Sequence, residues 1–96
     1  ENNFFLNLNT PNELKELPIK IKLKCFGLIT EKIGFSELIT NIPFDKKNDL
    51  KTFFDDIFPS INKVDYKIAV NQVMNNFVED INGEIEIALL PPFAGG

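Results

Sequence analysis

From Pro18 onward, apolar and polar residues follow one another in regular patterns. Ile19, Ile21, Leu23 and Cys25 alternate with Lys20, Lys22 and Lys24, the period of a strand with one buried face. Cys25 falls on the apolar side and reads as a small core residue, whereas a reactive thiol needs exposure and a nearby cation. Phe26 inherits the lysine side of the pattern. Gly27 to Gly34 encloses Leu28, Ile29 and Ile33 and predicts a short helical turn stopped by Gly34. Ser36 to Ile42 predicts a second strand, with Leu38, Thr40 and Ile42 on one face and Pro43 at its end. Asn48 is the expected N-cap of a helix, with Asp49 in the first turn. Leu50, Phe53, Phe54 and Ile57 then form one amphipathic stripe that Pro59 stops. Tyr66, Ile68 and Val70 mark another strand, which ends at Asn71-Gln72. A polar stretch containing Met74, Phe77 and Val78 follows, and Asn82-Gly83 signals a tight turn. In the last strand Glu84, Glu86 and Ala88 alternate with Ile85, Ile87 and Leu89, and Leu90 falls on the glutamate side.

The order strand, strand, helix, strand, strand suits a two-layer α+β domain with the main helix packed across a small mixed sheet. A ubiquitin-like β-grasp has this arrangement, with its first and last strands parallel and adjacent at the centre of the sheet. The charges agree. Lys20, Lys22 and Lys24 would lie beside Glu84 and Glu86 on the outer face as opposite-sign pairs. Residues 1–17, with Phe4 and Phe5 among scattered asparagines, read as an N-terminal extension, either a remnant of preparation or a docking arm. Residues 18–90 form the domain, and residues 91–96 form a protruding tail.

Composition narrows the function. Ninety-six residues with ten Phe allow one small domain, burying roughly 60–65% of the unfolded chain's surface. A net charge of −4, with every basic residue a Lys, argues against nucleic acid and anionic membranes as partners. No apolar run is long enough to cross a membrane, and the single Cys suits a reducing, cytoplasmic setting. The absence of His removes the usual general base, Ser-His and Cys-His nucleophiles and most transition-metal sites, so no metal is expected. Any chemistry therefore belongs at the end of the chain, performed by a partner.

That end is Leu89-Leu90-Pro91-Pro92-Phe93-Ala94-Gly95-Gly96. A strand pattern runs into two prolines, which lack an N–H and hold a fixed φ, so the ladder stops and a stiff spacer follows. Beyond Phe93 the side chains are a methyl group and two hydrogens, a thread narrow enough for a tight channel. A Gly-Gly end by itself is common and marks nothing. The spacer before it, and the strand before that, set this one apart. Gly96 is the candidate reacting residue, Pro91, Pro92, Phe93, Ala94 and Gly95 form the inserting segment, and Phe26, Leu90 and Phe93 form a candidate partner surface at its base.

Ala69-Val70-Asn71-Gln72, Glu86-Ile87-Ala88-Leu89-Leu90 and Pro91-Pro92-Phe93-Ala94-Gly95-Gly96 together resemble the MoaD family, the small sulfur-carrier subunit of molybdopterin synthase. The first strand through Phe26 and the segment Glu31 to Gly34 fit at comparable spacing. The resemblance spans roughly residues 19–96, and the tail is its specific part. It departs at Asn82-Gly83-Glu84-Ile85, where the glycine stands one place early, and in the N-terminal extension. The resemblance implies a β-grasp fold and a C-terminal glycine that becomes a thiocarboxylate. It implies no bound cofactor, with ATP used on the C-terminus by a ubiquitin-activating-like adenylyltransferase. The second implied partner is the molybdopterin synthase large subunit, in which sulfur passes to cyclic pyranopterin monophosphate. The protein itself is then no enzyme. The thiazole-forming sulfur carrier of thiamine synthesis, a ubiquitin-like protein modifier and an inert β-grasp interaction module are the alternatives.

Overall fold

The computed structural model describes residues 17–92. The extension expected at 1–17 lies outside the described residues except for Leu17, and so does the tail from Phe93 onward. The elements are β1 (Ile19–Cys25), α1 (Gly27–Ile33), β2 (Glu37–Ile42), a 3-10 turn (Phe44–Lys46), α2 (Leu50–Ile57), a second 3-10 turn (Pro59–Ile61), β3 (Lys67–Val70), β4 (Val73–Met74) and β5 (Glu86–Leu90).

The strands form one sheet in the order β2-β1-β5-β3-β4. At its centre β1 and β5 run parallel, with Lys22 opposite Glu86 and Cys25 opposite Leu89. β2 and β3 flank this pair, each antiparallel to its neighbour. The expected placing of the first and last strands therefore holds. Alternation decides which side chains go inside: Ile21, Leu23, Ile87 and Leu89 are buried beneath Leu50 and Phe54 of α2 and Ile29 of α1. Each large apolar side chain in this layer contributes about 1.5–3 kcal/mol. Phe54 stacks with Phe58 and meets Phe53 edge-on, so the phenylalanines of the stripe are core.

α1 ends as expected, with Gly34 in the left-handed region at φ 102 and its N–H donating to the Thr30 carbonyl. The cap of α2 is Asp49 rather than Asn48. The Asp49 carboxylate accepts from the Thr52 N–H and the Thr52 hydroxyl, a geometry available only to the residue directly before the helix. Ile57 is 47% exposed, so the buried stripe stops at Phe54. Ile57 is the last residue of the helix, and the chain leaves through Pro59. On β2, Leu38 and Ile39 are both exposed because this strand is a sheet edge.

Two further differences concern turns. The reading of the stretch after Gln72, through Val78, as merely polar missed β4. Asn71 and Gln72 both have positive φ, at 49 and 71, and make the tight turn joining β3 to β4. Asn82-Gly83 does not join two adjacent strands. It is a bend in the long connection to β5, where the Asp80 carboxylate accepts the Asn82 N–H. The outer-face charges pair differently as well: Lys24 meets Glu86 at 3.4 Å, but Lys22 turns to Glu37 of β2 at 3.4 Å. Glu84 lies exposed before β5 begins.

Candidate functional site

The site is the sheet edge at which β5 ends. Parallel pairing carries β1 and β5 to the same end, and their contact continues one step past Cys25, where the Phe26 N–H donates to the Leu89 carbonyl at 3.2 Å. On the other side Lys67 of β3 stands opposite Leu90. The ladder then stops because Pro91 and Pro92 have no N–H to offer.

Phe26 is 44% exposed and Leu28, at the start of α1, is 42% exposed. Leu90 and Pro91 are half-buried and Pro92 is exposed. The two positions that the sequence singled out next to the tail, Phe26 and Leu90, are thus brought to one end of the sheet, each one residue beyond the paired Cys25 and Leu89. Exposed apolar residues grouped at a chain exit suit a protein partner. Phe93, Ala94, Gly95 and Gly96 lie outside the described residues.

Sequence reasoning missed Gly27. It has φ +53, and a Cβ built on it would lie 3.2 Å from Pro91 Cγ. The available signal was its place between a strand and a helix, but nothing local shows that the last strand returns beside it. Leu28 was missed for the same reason, since helical spacing alone does not tell a core residue from a rim residue.

The groups near this edge are not prepared for acid–base or nucleophilic work. Cys25 is buried, and desolvation pushes its thiol pKa up from the ordinary value. Tyr66, just before β3, is also pushed up, first by burial and then by its hydrogen bond to Asp55. Its hydroxyl lies 2.8 Å from Asp55 Oδ1, and Lys51 Nζ sits 4.1 Å above its ring. This cluster ties α2 to β3. Lys67 is exposed and lies 3.8 Å from Asp65. Among the described residues no group of His, Cys, Asp and Glu is arranged to hold a metal.

A scan against protein-family models and a search of curated proteins find no match. Solved structures do match. A Pyrococcus furiosus protein described as molybdopterin converting factor, subunit 1, is similar with a TM-score of 0.60 and 18% identity, over 78% of this chain and 99% of that one. The small archaeal modifier protein 1 of Methanosarcina acetivorans is similar with a TM-score of 0.59 and 21% identity, over 83% and 99% of the two chains. That of Haloferax volcanii is similar with a TM-score of 0.57 and 20% identity, over 80% and 99%. With its central parallel β1–β5 pair and α2 packed across the sheet, the chain has the ubiquitin-like β-grasp fold of these proteins.

Proposed function

We propose that this protein is a sulfur carrier of the MoaD type, whose Gly96 carboxylate is charged with sulfur and delivered into the large subunit of molybdopterin synthase. The observation that carries this reading is the course of β5, a central strand that runs directly into Pro91-Pro92 at an edge where Phe26 is exposed. The Pro-Pro-x-x-Gly-Gly ending in the sequence and the similarity to the Pyrococcus furiosus protein support it.

A carboxylate is a poor acyl donor and must be activated. Its oxygen attacks the α-phosphorus of ATP and releases pyrophosphate. Sulfide then attacks the acyl carbon, AMP leaves, and a thiocarboxylate remains. A chain without Arg or His is poorly equipped for the first step, which belongs to a ubiquitin-activating-like adenylyltransferase. What this chain contributes is delivery. The sheet anchors the root, the two prolines hold the spacer extended, and Ala94-Gly95-Gly96 enters the narrow part of the partner's site. Phe26, Leu90 and Phe93 dock against that partner. Inside the large subunit the sulfur passes to cyclic pyranopterin monophosphate.

The test is an intact mass after co-expression with an adenylating enzyme and a sulfur donor. The expected product carries one sulfur in place of one oxygen, located in the C-terminal peptide and absent when Gly96 is deleted or followed by an extra residue. A chain that returns unmodified, or an extended variant that is fully active, overturns the carrier reading. The two archaeal modifier proteins among the similar structures favour a second reading, in which the activated glycine is transferred to lysines of other proteins. That activity would appear as isopeptide adducts in the same experiment.

A further inference from the structure

Three described glycines, Gly27, Gly34 and Gly83, have positive φ, but they differ in what surrounds them. A side chain on Gly34 or Gly83 would point into open space. One on Gly27 would meet the Pro91 ring, with Cγ at 3.2 Å, Cβ at 3.9 Å and Cδ at 4.0 Å. Backbone conformation alone therefore accounts for Gly34 and Gly83, while Gly27 also admits a close neighbour.

We propose that Gly27 is a positioning residue for the tail, forming a bare backbone seat on which the Pro91 ring rests and so aiming Pro92 and the residues beyond it. The proposal deepens the carrier reading and rests on it. On the β1 side, the last ladder contact of the tail root is the Phe26 N–H to Leu89 carbonyl hydrogen bond at 3.2 Å, and on the β3 side pairing ends at Leu90 opposite Lys67. The next residue, Pro91, has no N–H, so hydrogen bonding between the strands cannot direct the chain further. Packing must do so, and the Pro91 ring lies where a side chain on Gly27 would stand. Because both prolines hold φ fixed, a direction set at Pro91 is carried on stiffly at about 3.1 Å per residue. A small tilt at the root then shifts the point and direction from which the rest of the tail starts beyond Pro92.

The seat can be blocked without forcing the backbone out of its conformation. Asn is the non-glycine residue that best tolerates left-handed φ, so Gly27→Asn adds bulk beneath Pro91 at modest strain. Gly34→Asn at φ 102 adds at least as much backbone strain but strikes no neighbour. The purified proteins are assayed for adenylation with the activating enzyme, with thermal melts in parallel. We expect Gly34→Asn to keep the wild-type kcat even where its melting temperature falls. Gly27→Asn should lower kcat at least fivefold with KM within twofold, because docking is intact while the carboxylate is misaimed. Pro91→Ala takes the ring off the seat and should lower kcat as well, and adding it to Gly27→Asn should cost little more than the worse single change, because both remove the same contact. Equal kcat for Gly27→Asn and Gly34→Asn, or losses that multiply in full in the double variant, overturns the proposal. A wild-type protein that is never adenylated sinks the carrier reading instead. The seat is then judged by nuclear Overhauser contacts between the Gly27 Hα and Pro91 Hγ protons, whose absence in the wild type also overturns it.

Discussion

Cys25 shows how a single position in a pattern assigns a role. It continues the Ile19-Ile21-Leu23 series, is 3% exposed, and has a thiol pushed up in pKa by burial, so the thiolate needed for sulfur chemistry is disfavoured. Cys25→Ala should cost about 1 kcal/mol of stability in urea denaturation and leave sulfur loading of the folded protein unchanged. A persulfide on Cys25 during turnover would contradict this. Asp49 behaves in the opposite way. Hydrogen bonds from the Thr52 hydroxyl, the Thr52 N–H and the Asn76 side-chain amide favour its ionised form and hold its pKa below the ordinary 3.8. With the folded-state pKa depressed, the stabilisation is complete above 3.8 and is lost as the pH falls below that value. Asp49→Ala should therefore lower the urea midpoint at neutral pH, and its gap from the wild type should narrow in acid. A gap that stays constant down to about pH 2 would mean that the cap's charge does not matter.

At the scale of elements, the β3–β4 turn holds β5 in register. Asn71 donates its N–H to the Glu86 carbonyl at 2.7 Å, while its side-chain oxygen accepts the Glu86 N–H at 2.8 Å. This pair starts the strand whose far end is the tail root. Asn71→Gly keeps the positive φ of 49 accessible and deletes only the side-chain acceptor. It should cost about 1 kcal/mol and speed amide exchange at Glu86 more than at Leu89. Equal exchange at both ends of β5 would show that the strand holds its place without Asn71. The same scale explains a weakness of pattern reading. Asn76 accepts the Lys51 N–H at 2.7 Å through its side chain and the Leu50 N–H at 3.0 Å through its carbonyl. The stretch that read as merely polar is thus a clamp on the start of α2, with Val78 buried beneath it.

Taken as a whole, the molecule separates a stabilising face from an exit edge. α2 and α1 cover the inner face of the sheet, the outer face carries the Lys24–Glu86 and Lys22–Glu37 pairs, and the chain leaves beside exposed Phe26. Exposed ion pairs of this kind contribute little to stability, so replacing one should scarcely move the melting temperature. Phe26→Asp, by contrast, should weaken association with the proposed large-subunit partner at least tenfold while the free protein melts within a few degrees of the wild type. Isothermal titration and thermal melts check the two halves of this expectation. Unchanged affinity, or collapse of the free protein, would remove Phe26 from the docking surface. Leu90→Asp is a less clean probe, because Leu90 is half-buried opposite Lys67 and the change will also loosen β5.

The sequence by itself determined the strands β1, β2, β3 and β5, the helices α1 and α2 and the class of fold, because these depend on local periodicity. Side chains two apart on a strand, or three and four apart on a helix, must share a face wherever the element packs. The stop at Pro91-Pro92 was legible for the same reason, being a property of proline itself. Tertiary structure alone decided the rest. Whether Ile57 or Leu38 is covered depends on how far a neighbouring element reaches, and which carboxylate Lys22 meets depends on which strand lies beside it. Gly27 carries no local signal of its contact with Pro91, which is sixty-four positions away in the sequence and is brought near only when β1 and β5 pair in parallel. Periodicity fixes which way a side chain faces, but what it meets there is set by chain topology.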